Sequence, residues 1–333
     1  MFPGPRASRD GPVRYELAAF LHAPPDVFVV GKLGLPGQPQ LTMGGTIATG
    51  GTIGRDAMAS VTTERRAQRG MRIAAVGDIH CTRNSQGAFQ GLFAQIASSA
   101  DILLLCGDLT AYGLPDEARV LARELTVAAK MPIVSVLGNH EYESGKENEV
   151  QQILMDTGVR VLDGEACEIN GVGFAGVKGF GGGFDRRSLE PWGEATMKRF
   201  VHDAVDEVLK LGSALARLRT IHRIAVLHYA PIRATVVGEP LEIFPFLGSS
   251  RLEEPLNRYT LAAVFHGHAH NGQPEGRTTG GVPVYNVAMS LLERHFPGKP
   301  PFRILEIPSS PRSETAHPET PRTRESVVAR HSQ

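Results

Sequence analysis

The chain has 333 residues, 41% of them hydrophobic, which is enough to close a sizeable core as one large domain or two small ones. Lys plus Arg and Asp plus Glu both total 35, so a formal net charge of zero gives no call for nucleic acid or an anionic membrane as partner. No apolar run approaches the ~18 residues of a membrane span, and the chain opens without the charged and then apolar segments of a secretion signal.

Residues 1–70 are rich in Pro and Gly and poor in periodicity, with apolar patches at 17–21 and 27–30 too short to close a core. They read as a flexible extension rather than a domain. The native chain is expected to start near Met58 or Met71, because regular patterning begins only there. Residues 73–76 form a short continuous apolar run, as expected of a strand buried on both faces. Phe89, Leu92, Phe93 and Ile96 then make one helical stripe. A second buried strand is expected over 102–106. Pro115, Asp116 and Glu117 mark a helix start, and Ala118, Leu121, Ala122 and Leu125 give that helix its core face. A third strand (133–137), a helix (147–155) and two strand-like pieces (159–162 and 172–177) follow.

Residues 178–192 form a glycine-rich loop, followed by a long helix over 194–218 with Met197, Val201, Ala204 and Val208 on one stripe. Further strands are expected at 224–227, 261–265, 282–287 and 302–307, with a short helix at 249–259. Residues 308–333 are Pro, Ser, Thr, Arg and Glu without apolar period, so a disordered tail is expected. The cysteines, Cys81, Cys106 and Cys167, lack CxxC spacing and read as small buried thiols of a reducing compartment. A cytoplasmic protein is expected.

Alternating strands and helices predict an α/β architecture with mostly parallel strands over residues 71–307. In such sheets ligands bind beyond the carboxyl ends of the strands. Five strand ends carry polar clusters: Gly77-Asp78-Ile79-His80, Gly107-Asp108-Leu109, Gly138-Asn139-His140-Glu141, His228, and Gly267-His268-Ala269-His270. Oxygen and imidazole donors without thiolate suit Mn, Fe, Zn, Co or Ni. They are too many for one tetrahedral zinc site and fit two divalent ions sharing a bridging carboxylate. Such a pair clamps the attacking and leaving oxygens of an in-line displacement at phosphorus. The glycine before each Asp or Asn is expected to turn the backbone and leave room for a substrate.

The five blocks, in this order, resemble the calcineurin-like metallophosphoesterases. The stretch around 177–184 and the segment 228–254 resemble the Icc-related bacterial branch of that family. The resemblance implies a four-layer α/β/β/α sandwich and metal-hydroxide attack on phosphodiesters or small phosphomonoesters. It further implies that Asp78, His80 and His270 hold one metal, that Asn139, His228 and His268 hold the other, and that Asp108 bridges them. His140 matches the histidine that contacts the phosphate and protonates the leaving oxygen, work suited to a group titrating near neutrality. The aspartate that orients this histidine in some members is missing, since Leu109, Thr110 and Ala111 follow Asp108. A non-catalytic scaffold of the same fold and a nuclease are the alternative readings, the nuclease lacking support from overall charge.

Several residues stay open at this level. Strand alternation points His266 away from His268, so structure or a supporting bond is expected of it. Arg186, Arg187 and Trp192 bind a phosphate or a base, or are simply solvated. Gly181-Gly182-Gly183 cradles phosphate through its amides, or is a lid or a plain loop. Tyr112 and Tyr142 line the pocket or pack in the core.

Overall fold

Short runs of consecutive apolar residues become strands covered on both sides. In the computed structural model, which describes residues 70–308, β1 (Met71–Val76), β2 (Ile102–Cys106), β3 (Ile133–Val136) and β4 (Val159–Val161) lie parallel in sequence order. A final strand, β11 (Arg303–Ile307), adds antiparallel to β1. The expected extension (1–70) and tail (308–333) fall outside the described residues except at their boundaries.

The second sheet has the order β5 (Ala166–Ile169), β6 (Val172–Gly176), β7 (His222–Val226), β8 (Ala263–His266), β10 (Pro283–Asn286), β9 (Glu275–Arg277). Its four central strands are parallel and both edge strands antiparallel. β5 and β6 form a hairpin through Asn170 and Gly171, both at positive φ (50° and 82°). Asn-Gly is the strongest two-residue signal for such a turn, because both positions require the left-handed region.

Alternation along the strands sorts side chains into layers. Ala74, Val76, Leu103 and Leu105 pack with Phe93 and Ile96 of α1 (Gln90–Ser99), Leu121 of α2 (Pro115–Glu124) and Leu154 of α3 (Glu147–Asp156). Ile73, Ala75, Ile102 and Leu104 face the other way, onto Phe174, Ile224, Val226 and Phe265 of the second sheet. The far face of that sheet, through Ala175, Ala225 and Val264, meets Leu211, Ala214 and Leu215 of α4 (Ala195–Arg217). The result is an α/β/β/α stack, as the resemblance implies. Every residue of β2 is buried, because a helix layer covers one face and a sheet the other.

Two buried glutamates tie helices to loops. Glu117 accepts from the backbone N–H of Tyr112 (2.9 Å) and of Leu114 (3.3 Å), closing the start of α2 behind Pro115. Glu124 accepts from Gly87 N (2.6 Å) and Phe89 N (2.9 Å), pinning the loop that carries the first block toward α1. The expected helix over 249–259 is in fact a 3-10 turn, Ser250–Leu252, running into a helix, Glu253–Arg258. Pro255, whose missing N–H is tolerated only in a first turn, accounts for the late helix start. Two further short helices, Phe244–Leu247 and Met289–His295, and the exposed edge strand β9 carry no periodicity long enough to forecast them. Among the described residues no helix is long and apolar enough to cross a membrane.

Candidate metal centre

The carboxyl ends of β1, β2, β3, β7 and β8 bring the five polar blocks to one place. The chain reverses sharply there. Asp78, His80, Asp108 and His268 all sit at positive φ, between 49° and 69°. Left-handed backbone is costly for residues with a Cβ, and such strain concentrates at functional sites.

Gly138 and Gly267 make room for carboxylates of other blocks, and Gly107 for an imidazole. A Cβ on Gly138 would lie 2.1 Å from Asp108 Oδ1, and one on Gly267 would lie 2.1 Å from Asp78 Oδ2. At Gly107 it would lie 2.5 Å from His228 Nδ1.

Asp108 stands at the middle. Its Oδ1 lies 3.3 Å from His228 Nε2 and accepts the backbone N–H of His140 at 3.0 Å. Its Oδ2 faces the other side, 4.0 Å from His80 Nε2 and 3.8 Å from His140 Nε2. Asp78 Oδ1 lies 2.9 Å from His270 Nε2, and the backbone N–H of His268 meets both Asp78 oxygens at 3.0 Å. Asn139 Oδ1 lies 2.9 Å from His228 Nε2. All eight predicted site residues therefore converge, although they span 78 to 270 in sequence.

Three groups of side chains present donor atoms within 4.8 Å of one another: Asp78, His80 and His270; His80, Asp108 and His140; Asp108, His228 and His268. Each could hold a cation, and Asp108 belongs to two of them. The acids and His228 are buried, while His80, Asn139, His140, His268 and His270 are half-exposed, which leaves the cluster open to a ligand.

Two observations test the fit to cations. His80 Nε2 is buried without a hydrogen-bond partner, a costly state unless something else meets the nitrogen. His228 presents Nε2 to two oxygen acceptors, Asn139 Oδ1 and Asp108 Oδ1, while Cys106 O engages Nδ1 at 2.9 Å. A bare nitrogen lone pair facing two oxygens is repulsive; a proton or a cation between them is required.

In the metal-free protein the proton takes that place. Burial lowers the His228 pKa, but the Asp108 carboxylate outweighs it and lifts the group to about 9. His80 and His268 go the other way, held by burial to about 4 and about 3. His268 donates from Nε2 to the Phe246 carbonyl at 3.1 Å, leaving Nδ1 as its lone pair.

His140 has an orienting partner that block spacing cannot reveal. Its Nδ1 donates to the carbonyl of Ala111 at 2.6 Å, with Glu143 Oε1 at 3.4 Å. Thr110 is occupied elsewhere. Its N–H and hydroxyl both donate to Glu141 Oε1 at 2.8 Å, and Gly138 N donates to Glu141 Oε2 at 2.7 Å. Glu141 is fully buried and joins the second block to the third; burial, together with the nearby Asp108 charge, raises its pKa.

His266 is fully buried, with Nε2 2.9 Å from Thr235 Oγ1, a structural bond away from the cluster. Tyr142 lines a cavity of about 410 Å³ that also reaches Asn139, Lys178, Phe180 and Tyr229, so it is a pocket residue rather than core. Lys178 sits there with Nζ 4.8–5.3 Å from the Phe180, Tyr229 and Tyr142 rings. Nothing in block spacing marks Lys178 or Tyr229, although Tyr229 directly follows His228. Tyr112 and Trp192 are exposed. Gly182 and Gly183 spend their amides on Pro245 O and Gly248 O, at 2.6 and 2.9 Å, so they do not cradle phosphate.

With this geometry in place, comparisons place the chain among known proteins. The sequence profile of the family described as calcineurin-like phosphoesterase matches residues 71–272. The structure of a phosphopantetheinyl hydrolase from Mycobacterium tuberculosis superposes with a TM-score of 0.52 at 14% identity, covering 72% of this chain and 96% of that one. A putative 5'-nucleotidase from Staphylococcus aureus gives a TM-score of 0.40 at 15% identity, over 65% of this chain and 48% of its own. A Thermus thermophilus protein gives 0.42 at 15% identity, over 67% and 91%. No curated protein matches the sequence.

Proposed function

The chain belongs to the calcineurin-like phosphoesterase family, and is a metal-dependent phosphoric ester hydrolase; from that premise we propose that it cleaves phosphodiesters or small phosphomonoesters at a two-cation centre. Asp78, His80 and His270 would hold one ion and Asn139, His228 and His268 the other, with Asp108 available to both. The observation that carries this reading is the Asp108 carboxylate, whose two oxygens turn to different donor groups. When bound, a pair of Mn, Fe, Zn, Co or Ni ions supplies Lewis acidity and makes water nucleophilic near neutral pH.

The chain's own residues do the rest. In the metal-free protein Asn139 and His228, linked at 2.9 Å, hold each other's orientation, and Cys106 O, accepting from Nδ1, keeps Nε2 free to face a cation. Asp78 is locked by the His268 backbone N–H, so the first and last blocks cannot drift apart. His140, with Nδ1–H held by Ala111 O, keeps Nε2 near the Asp108 edge of the open cluster. A proton carried on that Nε2 passes to the departing alcohol oxygen. Free, buried Cys81 and Cys106 support a reducing, cytoplasmic setting.

The test is hydrolysis of bis-p-nitrophenyl phosphate and p-nitrophenyl phosphate by chelator-treated protein reloaded with defined metals. Turnover restored by Mn²⁺ is expected. Asp108→Asn should reduce kcat by roughly 10³-fold or more and lower metal stoichiometry, since it removes a charge shared by both ions. Near-normal rates in that variant would remove Asp108 from the mechanism. Metal uptake with no turnover on any ester would favour a scaffold.

A further inference from the structure

Arg186 and Arg187 in the glycine-rich loop gain a partner from 46 positions further on. Together with Arg233 they line a cavity of about 590 Å³, whose apolar wall is formed by Phe184, Phe244 and Pro245. The aromatic wall is ordered: Phe184 and Phe244 meet edge to face at 6.2 Å, and the Arg233 guanidinium lies 6.0 Å over the Phe244 ring. Among the described lining residues Asp185 is the one acid. Among the described residues, none of the three arginines makes an ion pair or a side-chain hydrogen bond. Arg251 nearby behaves differently, bonding Leu189 O and Glu190 Oε1. Three guanidiniums against one carboxylate leave the lining net positive, which a bound anion would offset.

The backbone explains how the three meet. Gly182 N donates to Pro245 O and Gly183 N to Gly248 O, so the loop is stitched to the segment that carries Phe244. A Cβ at Gly181 would lie 2.5 Å from Pro245 O, so only glycine permits this approach. The same segment touches the metal centre: Pro245 lines the arginine cavity, and the carbonyl of Phe246, next in sequence, accepts from His268 Nε2. Arg233 likewise lies two residues before Thr235, which holds His266 beside the last block.

We propose that this cavity is a phosphate-binding subsite, taking a phosphate group in addition to the one at the metal centre. Guanidinium forks match phosphate oxygens in pairs, which exposed ammonium groups do not. The phosphate is either a second one on the substrate, as in a bisphosphorylated ester, or a free phosphate ion. Assignment to the substrate rests on the phosphoester reading; binding itself does not.

The experiment uses the full chain and the triple variant R186Q/R187Q/R233Q, which removes the three charges at exposed positions while keeping polar side chains. Calorimetric titration of the metal-free proteins with inorganic phosphate should show affinity falling at least ~10-fold in the variant, with a weaker salt dependence. Equal phosphate affinity in the two proteins would overturn the proposal. On the metal-loaded proteins, the KM for adenosine 3',5'-bisphosphate should rise at least ~10-fold relative to that for adenosine 5'-phosphate if the substrate supplies the group. Unchanged relative KM with weakened phosphate binding assigns the subsite to the free ion. Hydrolysis of bis-p-nitrophenyl phosphate, which has no second phosphate, should be the same in both. Its absence in the unmodified protein would count against phosphoester hydrolysis and leave the binding result standing.

Discussion

The imidazole of His140 donates its Nδ1 proton to the main-chain carbonyl of Ala111, 2.6 Å away. A backbone oxygen thus does the orienting work that an aspartate beyond Asp108 would otherwise do, and it adds no full charge to the site. The carbonyl is placed by Ala111 N, which donates to Cys81 O at 3.0 Å. The second block is thereby fastened to the first before His140 is aimed.

That arrangement separates holding metal from transferring a proton. His140→Ala should keep its metal content, measured by elemental analysis, while kcat on bis-p-nitrophenyl phosphate falls by about 10²- to 10⁴-fold, the usual contribution of a positioned acid. Loss of metal in parallel with activity would make His140 a ligand instead.

The tight packing of motif glycines against carboxylates makes a second prediction. Gly138→Ala puts a methyl 2.1 Å from Asp108 Oδ1, a contact that flexible side-chain ends could relieve but this buried, hydrogen-bonded carboxylate cannot. Metal stoichiometry should fall, and stability should drop by about 1–3 kcal/mol, as in other overpacked sites. Equilibrium urea unfolding, run beside metal analysis, reads both. A variant that binds metal and unfolds like the parent would refute the packing account.

Glu141 gives a prediction about stability alone. Its oxygens accept from Thr110 N, Thr110 Oγ1 and Gly138 N, with no water or cation needed. Glu141→Gln must turn an amide NH₂ toward one of those donors, leaving a buried group unpaired. A cost of about 1–3 kcal/mol is expected by chemical denaturation, because an unmade buried hydrogen bond costs more than a made one contributes. Glu141→Asp, too short to reach both loops, should not restore it.

Metal uptake should depend on pH in a stated direction. In the metal-free protein His228 is raised to about 9, chiefly by Asp108 against the opposing effect of burial, so it carries a proton at neutral pH that a cation must expel. His80 and His268, held by burial to about 4 and about 3, are already neutral there. Affinity for Zn²⁺ or Mn²⁺ should therefore climb as pH rises toward about 9 and then level off. The same proton contributes stability to the metal-free fold below the unfolded histidine value, lost as pH rises through 9. Calorimetry in buffers of different ionisation enthalpy should show protons released on binding at pH 7. Uptake indifferent to pH across this range would contradict the assigned role of His228.

Much of this protein can be read from one dimension. Buried strands announce themselves as runs such as 73–76 and 102–106, and polar residues at their ends mark where a ligand belongs, because parallel sheets collect those ends on one rim. The eight site residues, Asp78 to His270, follow from that rule, whereas the α/β/β/α stack is implied only by the resemblance of the five blocks to a known family. What the tertiary structure alone decided are relations between segments that no spacing encodes. Ala111 O orients His140, Glu141 straps two loops together, Gly138 and Gly267 yield space to carboxylates of other blocks, and Arg233 joins Arg186 and Arg187. Periodicity reports which face of an element is buried; it carries no information on which backbone atom or distant side chain lies opposite, since that depends on how whole layers settle against one another.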